Sequence, residues 1–369
     1  MCYVKFSHDF QLLLCSFHSK NQLTVAIMEF VFDAWYVAGW SRNFQHKLFP
    51  QTILEQNLVF FRQSDGKLVA LEDRCPHRLL PLSKGNLVGD NVECGYHGMT
   101  FDGSGKCVRI PAQDNLPPSA YVDTYPVEER HGIVWVWMGI KEKADPNLIF
   151  NMDEFKDASW HKHLGDALHI EAHYLNVAEN LVDPAHVSFV HPTTLGSSAS
   201  QDIPVEVSTT DDPIAAWRWI RNAPPVGFFQ KFGSFSGNVD RWHYYYLHLP
   251  STAVIDFGSA ASDLQLKEDE RHKGVRIFAI HFVTPVTRDY TIDHWMHMRN
   301  AAVSNDDASK QIDELFRIAF EEDKEILEAI HKEEQRQHTR APIRIAIDRA
   351  PLVYRKRIKE LVNLGSQKR

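Results

Sequence analysis

Two short strings of cysteine and histidine limit the folds open to this chain more than anything else in it. Cys75-Pro76-His77 and Cys94-Gly95-Tyr96-His97 each set a thiol beside an imidazole, and 16 residues separate the pairs. Pro76, Gly95 and Gly98 favour tight turns, so each pair belongs on a loop. Two such loops meet at one centre only on a small rigid scaffold, and the flanking sequence reads as one. Leu58-Val59-Phe60-Phe61 and Leu68-Val69-Ala70-Leu71 flank the turn Ser64-Asp65-Gly66, a hairpin signal. Phe101 leads through Asp102-Gly103-Ser104-Gly105 into Cys107-Val108-Arg109-Ile110, and Ile133-Val134-Trp135-Val136-Trp137 reads as a buried or edge strand. No long helical pattern interrupts this region, which predicts a small antiparallel β-domain.

Two thiolates can hold one iron and two imidazoles another, which is the ligand set of a Rieske [2Fe–2S] centre: Cys75, His77, Cys94 and His97. Imidazole in place of thiolate on one iron raises the potential, so the centre can accept electrons from a low-potential ferredoxin. The rival is a Cys2His2 zinc site. Zinc modules usually pair Cys with Cys and His with His, whereas each half here mixes the two. Cys107 has no histidine at matching spacing and reads as a packed strand residue. Five cysteines in 369 residues do not make a disulfide framework, and they suit a reducing cytoplasm.

A second constellation follows a plausible boundary near residues 141–146. Residues 174–191 read as a helix from about Tyr174 that ends before Pro192. At about 100° per residue, Asn176, Glu179, Asn180, Asp183 and His186 share one narrow face, with His191 at its margin. A solvated amphipathic helix would explain a polar face. This stripe holds no Lys or Arg, however, and Pro184 inside it removes a backbone hydrogen bond. His169 and His173 lie in strand-like alternation and read as structural. Residues 205–300 are strand-rich, with strings such as Trp242-His243-Tyr244-Tyr245-Tyr246, and a Pro/Gly turn at Pro224-Pro225-Val226-Gly227. A long helix is predicted from about Ser309 to His338. In it Asp323 falls among Ile312, Phe316, Ala319, Phe320, Ile326, Leu327 and Ile330, while Glu321, Lys324, Glu325 and Glu328 point elsewhere. An ionised carboxylate there needs a partner or a metal; a protonated or hydrogen-bonded core Asp is the plainer alternative. His186, His191 and Asp323 would form the two-histidine, one-carboxylate triad of non-haem Fe(II) oxygenases. The C-terminal Arg355, Lys356, Arg357 and Lys359 read as a solvated helix face.

The string Cys94-Gly95-Tyr96-His97-Gly98-Met99-Thr100-Phe101-Asp102-Gly103 resembles the Rieske domain of aromatic-ring-hydroxylating oxygenases. Met99 stands where many dioxygenases of that family carry Trp. Together with Ala34-Trp35-Tyr36-Val37-Ala38-Gly39-Trp40 it is more like the vanillate O-demethylase and dicamba monooxygenase branch. Asn180-Leu181-Val182-Asp183-Pro184-Ala185-His186 and Val190-His191-Pro192-Thr193-Thr194-Leu195-Gly196 look like the iron-binding segment. Residues 320–329 resemble the C-terminal ligand segment. The resemblance covers nearly all of residues 28–369, and is loose across 200–300.

The resemblance implies an α+β chain. An N-terminal antiparallel β Rieske domain (28–143) precedes a helix-grip (START/Bet v1-like) catalytic domain (144–369), which has an antiparallel sheet and a long C-terminal helix. Residues 1–27 are set apart as an extension. It also implies a mononuclear Fe(II) beside the cluster, a ferredoxin or NAD(P)H-dependent reductase as electron source, and a head-to-tail homotrimer. In that trimer Asp183 would bridge His186 to His97 of the partner subunit. Asn180 matches a polar residue close to the iron. The expected reaction is hydroxylation or O-demethylation of a small aromatic; cis-dihydroxylation is the nearest alternative. An electron carrier fused to a binding domain and a zinc-stabilised binding module also stay open. The net charge of −8 disfavours nucleic acid and anionic membrane as partners, and no apolar run approaches the ~18 residues a span needs.

Overall fold

The computed structural model describes residues 30–208, 210, 212–336 and 340–366. The segment 1–27, with Cys2 and Cys15, lies outside the described residues.

The N-terminal region is built of strands β1 (Ala34–Trp40), β2 (Phe49–Ile53), β3 (Gln56–Arg62), β4 (Leu68–Glu72), β5 (Asn86–Val88), β6 (Asn91–Glu93), β7 (Thr100–Phe101), β8 (Cys107–Arg109), β9 (Thr124–Tyr125), β10 (Val127–Arg130) and β11 (Ile133–Met138). They form three small antiparallel sheets, in the orders β1-β11-β10, β2-β3-β4-β9 and β5-β6-β7-β8. The predicted hairpin is β3–β4, turning at Gly66 with φ +88°. β11 is a central strand, and all six of its residues are buried.

The C-terminal region holds one seven-stranded antiparallel sheet. Its strands are β12 (His161–Ile170), β13 (Glu206–Ser208), β14 (Ile214–Ala223), β15 (Val239–His248), β16 (Thr252–Ala261), β17 (Val275–Thr287) and β18 (Tyr290–Arg299), in the order β12-β18-β17-β16-β15-β14-β13. β16 escapes the sequence reading because a carboxylate and a glycine interrupt its apolar run. Asp256 is buried yet paired with Arg271 at 2.5 Å and Arg276 at 2.7 Å. A Cβ at Gly258 would come within 2.0 Å of the Trp242 ring, so only glycine fits beneath it.

Five helices pack around this sheet among the described residues: α1 (Tyr174–Asn180), α2 (Val187–Val190), α3 (Gly227–Phe232), α4 (Asp306–Glu334) and α5 (Arg349–Ser366). The single helix expected over 174–191 is two. Pro184 cannot donate to the ladder, and the chain tightens into three-residue turns after α1, with Asp183 N bonded to Asn180 O at 3.1 Å. The polar stripe is thereby divided. Asn176 and Glu179 face Arg355 of α5 instead of a metal; Asn176 Oδ1 accepts from its guanidinium at 2.8 Å. Arg355, Lys356 and Lys359 are exposed as expected, with Arg355 also latched to α1, while Tyr354, Ile358 and Val362 on the other side of the helix are core residues. α3 occupies the segment after the predicted turn, beginning at Gly227 with φ +50°.

α4 starts three residues before the expected Ser309 because the Asn305 side chain caps it, accepting from Ala308 N at 3.1 Å. Asp306 and Asp307 in its first turn favour the positive end of the helix dipole. It stops at Glu334, short of His338, and residues 337–339 lie outside the described set. Its buried face carries Ile312, Phe316, Ala319, Phe320, Asp323 and Leu327. Ile326 and Ile330, assigned to that face from the sequence, are 44% and 46% exposed, so the stripe is narrower than expected. One apolar core joins both regions, running from Phe60 and Val136 through Ile277 and Phe320 to Tyr354. Thr284 Oγ1 ties the large sheet to β1 by donating to Val37 O at 2.7 Å. Among the described residues no helix is long and apolar enough to cross a membrane.

Candidate functional site

The two Cys/His loops repeat one backbone pattern. Cys75 N donates to Leu80 O at 2.9 Å, and Leu79 N donates to Cys75 O at 2.9 Å. Nineteen residues on, Cys94 N donates to Met99 O at 2.8 Å, and Gly98 N donates to Cys94 O at 3.0 Å. The fifth residue of each loop is left-handed: Leu79 at φ +62° and Gly98 at φ +70°. The second loop presses backbone to backbone against the turn that follows the first, since a Cβ at Gly95 would meet Lys84 O at 2.7 Å. Cys75 and Cys94 are buried, whereas His77 and His97 are exposed with ring centroids 4.7 Å apart. Burial first, and the neighbouring Cys94 second, push the Cys75 thiol up; a positive iron centre would reverse that preference.

The four donors fit two irons better than one ion. Ligands on a single tetrahedral zinc lie within roughly 4 Å of one another. Among the described residues only two groups have three or more His, Cys or carboxylate donors within 4.8 Å of one another, and neither includes these four. A thiol pair and an imidazole pair held apart suit the two metals of a Rieske cluster. Cys107 sits at the start of β8, buried, as a strand cysteine.

One of those two groups is His186, His191 and Asp323. The break at Pro184 turns His186 inward, α2 carries the chain on to His191, and α4 brings Asp323 from 132 residues further along. Asp323 Oδ1 stands 3.1 Å from His191 Nε2 and 3.5 Å from His186 Nε2. Adjacent ligands on an ion about 2.1 Å away are roughly 3 Å apart. Three protein donors on one side leave positions open, the arrangement of an oxygen-activating iron. Burial lowers the His186 pKa, which favours the neutral imidazole a metal needs. Burial also opposes charge on His191, but Asp323 and Glu322 facing its two nitrogens win, and its pKa rises. Burial likewise penalises the Asp323 carboxylate, and the His191 hydrogen bond and the two imidazoles hold it ionised. A divalent ion would take over the part those protons play.

The surrounding residues orient this set. Glu322 Oε2 lies 2.8 Å from His191 Nδ1 and accepts from Thr194 Oγ1 at 3.1 Å, which fixes the ring and leaves Nε2 for a metal. Sequence reasoning missed Glu322; its one signal was adjacency to Asp323, with a side chain that flanks the buried face. Asn180 Nδ2 donates to Asp323 Oδ1 at 3.0 Å. Asp183 Oδ1 accepts from Ala185 N at 2.8 Å. The hydrogen bond expected between Asp183 and His186 is not made: Oδ2 lies 3.9 Å from Nδ1, beyond reach, and that buried nitrogen has no partner. His169 pairs with Tyr290 Oη at 2.6 Å, and His173 caps α1 by accepting from Leu175 N at 3.2 Å, so both are structural.

A mostly apolar cavity in the same domain does not touch the three donors but reaches Thr194, three residues after His191; Phe228, Phe229, Phe257, Phe316, Arg241 and His243 line it too. Arg241 and its neighbour Arg218 are 2% and 1% exposed. Arg218 donates to Ser200 O at 2.7 Å and Arg241 to Ser197 Oγ at 3.0 Å, yet the Nε of each is unpartnered. Among the described residues no carboxylate lies within ion-pair distance of either. Burial, then repulsion from Arg218, pulls the Arg241 pKa down to about 10.

Known proteins agree with this anatomy. Residues 170–364 match the vanillate O-demethylase oxygenase C-terminal domain, and residues 34–126 match the Rieske [2Fe-2S] domain. The oxygenase component of dicamba O-demethylase from Stenotrophomonas maltophilia is 31% identical over 348 residues, 91% of this chain and 99% of that one. The iron-sulfur subunit of the toluene-4-sulfonate monooxygenase system from Comamonas testosteroni is 35% identical over 309 residues, 82% of this chain and 88% of its own. A crystal structure of dicamba monooxygenase bound to dicamba superposes with a TM-score of 0.81 at 28% identity, covering 92% of this chain and 99% of that one. The chain therefore belongs to the Rieske non-haem iron oxygenases of the vanillate O-demethylase branch, as an oxygenase component that works with a [2Fe–2S] cluster and a mononuclear iron.

Proposed function

We propose that this chain hydroxylates or O-demethylates a small aromatic that carries an anionic group. The observation that carries the reading is the pair of unlike donor sets in one polypeptide, with buried arginines, one of them lining an apolar cavity, in the same domain as the second. Cys75, His77, Cys94 and His97 would hold the cluster; His186, His191 and Asp323 would hold the mononuclear iron. Iron at that triad, supplied with electrons through the cluster, activates O2 for insertion into a C–H bond. The net change for a methoxy group takes one O2, two electrons and two protons. It yields a hemiacetal and water, and the hemiacetal collapses to a phenol and formaldehyde.

The chain's own residues set the stage for that chemistry. Glu322 holds His191 in one tautomer, and Asn180 steadies the Asp323 oxygen nearer the histidines. Phe228, Phe229 and Phe257 offer an aromatic ring an apolar slot that sheds water. Arg241 faces that slot, and an arriving carboxylate or sulfonate would supply the counter-ion that the buried pair of cations lacks. The free space there is about 30 Å³, too little for an aromatic ring, so the lining must move for one to enter. Dicamba and toluene-4-sulfonate, the compounds named for two relatives, are both aromatic anions.

Both relatives are components of larger systems, and here we assign a ferredoxin or an NAD(P)H-dependent reductase as the electron donor. We read residues 28–143 as the cluster domain, residues 144–369 as the catalytic domain and residues 1–27 as an extension. The exposed imidazoles of His77 and His97 suit a head-to-tail homotrimer, in which Asp183 would close its 3.9 Å gap to His186 and bridge it to His97 of the partner subunit. Five sparse cysteines, two of them assigned to the cluster, suit the cytoplasm. The test is NADH-dependent O2 uptake with a surrogate reductase. Methoxybenzoates and arylsulfonates are compared with their neutral methyl esters and amides, and products are identified with labelled O2. Uptake confined to the anions, and lost in Arg241→Ala through KM, supports the assignment. Equal turnover of neutral analogues removes the anion from it, and two oxygen atoms in a cis-diol product would replace monooxygenation.

A further inference from the structure

Strands β12 and β18 pair so that His163 lies directly opposite His297. Residues opposite one another project from the same face of a sheet. The two rings accordingly stack, 5.0 Å between centroids at 23°. α4 crosses that face and sets Asp313 against both. His163 Nε2 lies 2.7 Å from Oδ2 and His297 Nε2 lies 3.2 Å from Oδ1. One donor atom from each of the three residues lies within 4.8 Å of the others, a condition otherwise met among the described residues only by His186, His191 and Asp323.

We propose that His163, His297 and Asp313 form a second metal site, for a divalent transition ion of the zinc, cobalt or nickel type. Two imidazoles and one carboxylate suit those ions and not Mg²⁺ or Ca²⁺, which prefer all-oxygen sites. The contact distances, 2.7 and 3.2 Å, are a little shorter than those of the iron triad, 3.1 and 3.5 Å, and each imidazole faces its own oxygen of Asp313. The site is nonetheless separate from it. Asp313 and Asp323 stand on one helix ten residues apart, about 15 Å along its axis and roughly a quarter turn around it. His297 is buried, while His163 and Asp313 keep about a third of their side-chain surface. They open on a cleft of about 610 Å³, which gives an ion an entrance and room for water ligands. Cations around the cleft are engaged elsewhere: Arg42 donates to Gly165 O at 3.0 Å, Lys310 to Asp307 at 3.4 Å and Arg317 to Glu314 at 2.7 Å, and Arg299 donates to Ser309 Oγ and to Asn305 O. His161 flanks the site and bonds Ser309 Oγ at 3.0 Å. An ion here would pin the first half of α4 to β12 and β18. The helix that presents Asp323 to the iron would then be held at two points, Asp313 and Asp323.

The experiment uses the iron-loaded holoenzyme, dialysed against micromolar free Zn²⁺ and analysed for metals. We expect one zinc per chain in addition to iron, with two imidazole nitrogens in its X-ray absorption spectrum. Thermal unfolding should shift upward by a few degrees as zinc saturates. Asp323→Ala should keep that zinc. His163→Ala and, independently, Asp313→Asn should each weaken it at least about tenfold while the Rieske spectrum and iron count stay unchanged. Zinc uptake that is absent, or equal in all of these variants, overturns the site and leaves a His163–Asp313 ion pair in its place.

Discussion

The two iron sites proposed for this chain are built in opposite ways. The cluster loops lie 19 residues apart in sequence, repeat one hydrogen-bonding pattern, and expose their histidines. The mononuclear site joins residues 180–191 to residues 322–323, is sealed from solvent around His191, and leans on carboxylates from α4. A site made of local loops needs only its own small sheets. A site made across the tertiary structure stands or falls with the packing of one helix. The same contrast separates electron storage, which must face another molecule, from oxygen chemistry, which must exclude water.

The widest separation should come from removing a ligand on each side. Cys94→Ser should abolish the visible spectrum and the Rieske EPR signal, yet leave about one iron per chain. Asp323→Ala should do the reverse: full cluster signal, iron falling from about three to about two per chain, and turnover lost beyond the roughly 100-fold typical of an outer partner. Retention of the mononuclear iron in Asp323→Ala would refute the triad.

Packing comes next. Phe316 is buried on α4 against Trp295 and Phe320. Phe316→Ala should cost about 3–5 kcal/mol in denaturant unfolding and release mononuclear iron before the cluster bleaches. Simultaneous loss of both metals would mean that the two regions are one cooperative unit, as their shared core permits.

A smaller effect is expected where the sites would communicate. Asp183→Asn should retain both metals and lower turnover by about 10–100-fold, since it alters only an orienting carboxylate. Unchanged turnover would remove Asp183 from electron transfer. The smallest effect belongs to the N-terminal region alone. Arg62 pairs with Glu129 through two contacts, at 2.7 and 2.8 Å, and holds the Glu129 carboxyl below its usual range. A depressed acid stabilises the fold above its unfolded pKa of about 4.3 and loses that contribution as pH falls through its folded value. The pair is largely solvent-exposed and therefore screened. Glu129→Gln should lower stability near neutral pH by well under about 1 kcal/mol and leave stability at pH 3 little changed.

How much of this was legible beforehand follows the same divide. The Cys/His loops, the β3–β4 hairpin and the role of α4 could be read because each signal is local: ligand spacing, a Gly turn, a 3.6-residue period. The helix over 174–191 was misread because periodicity is blind to a proline that divides it, and the division is what turns His186 inward. β16 was missed because its buried Asp256 is tolerable only with two arginines from elsewhere.

By itself, the amino-acid sequence determined which residues could bind metal and in what chemistry, since donor type and short spacing are properties of the chain. Only the tertiary structure decided that Glu322 orients His191, that Arg218 and Arg241 lie buried without counter-ions among the described residues, and that His163, His297 and Asp313 meet. Those contacts join segments 16 to 150 residues apart. Sequence periodicity fixes which way a side chain leaves its own element, but the register of β12 on β18 and the crossing of α4 over the sheet fix what it meets.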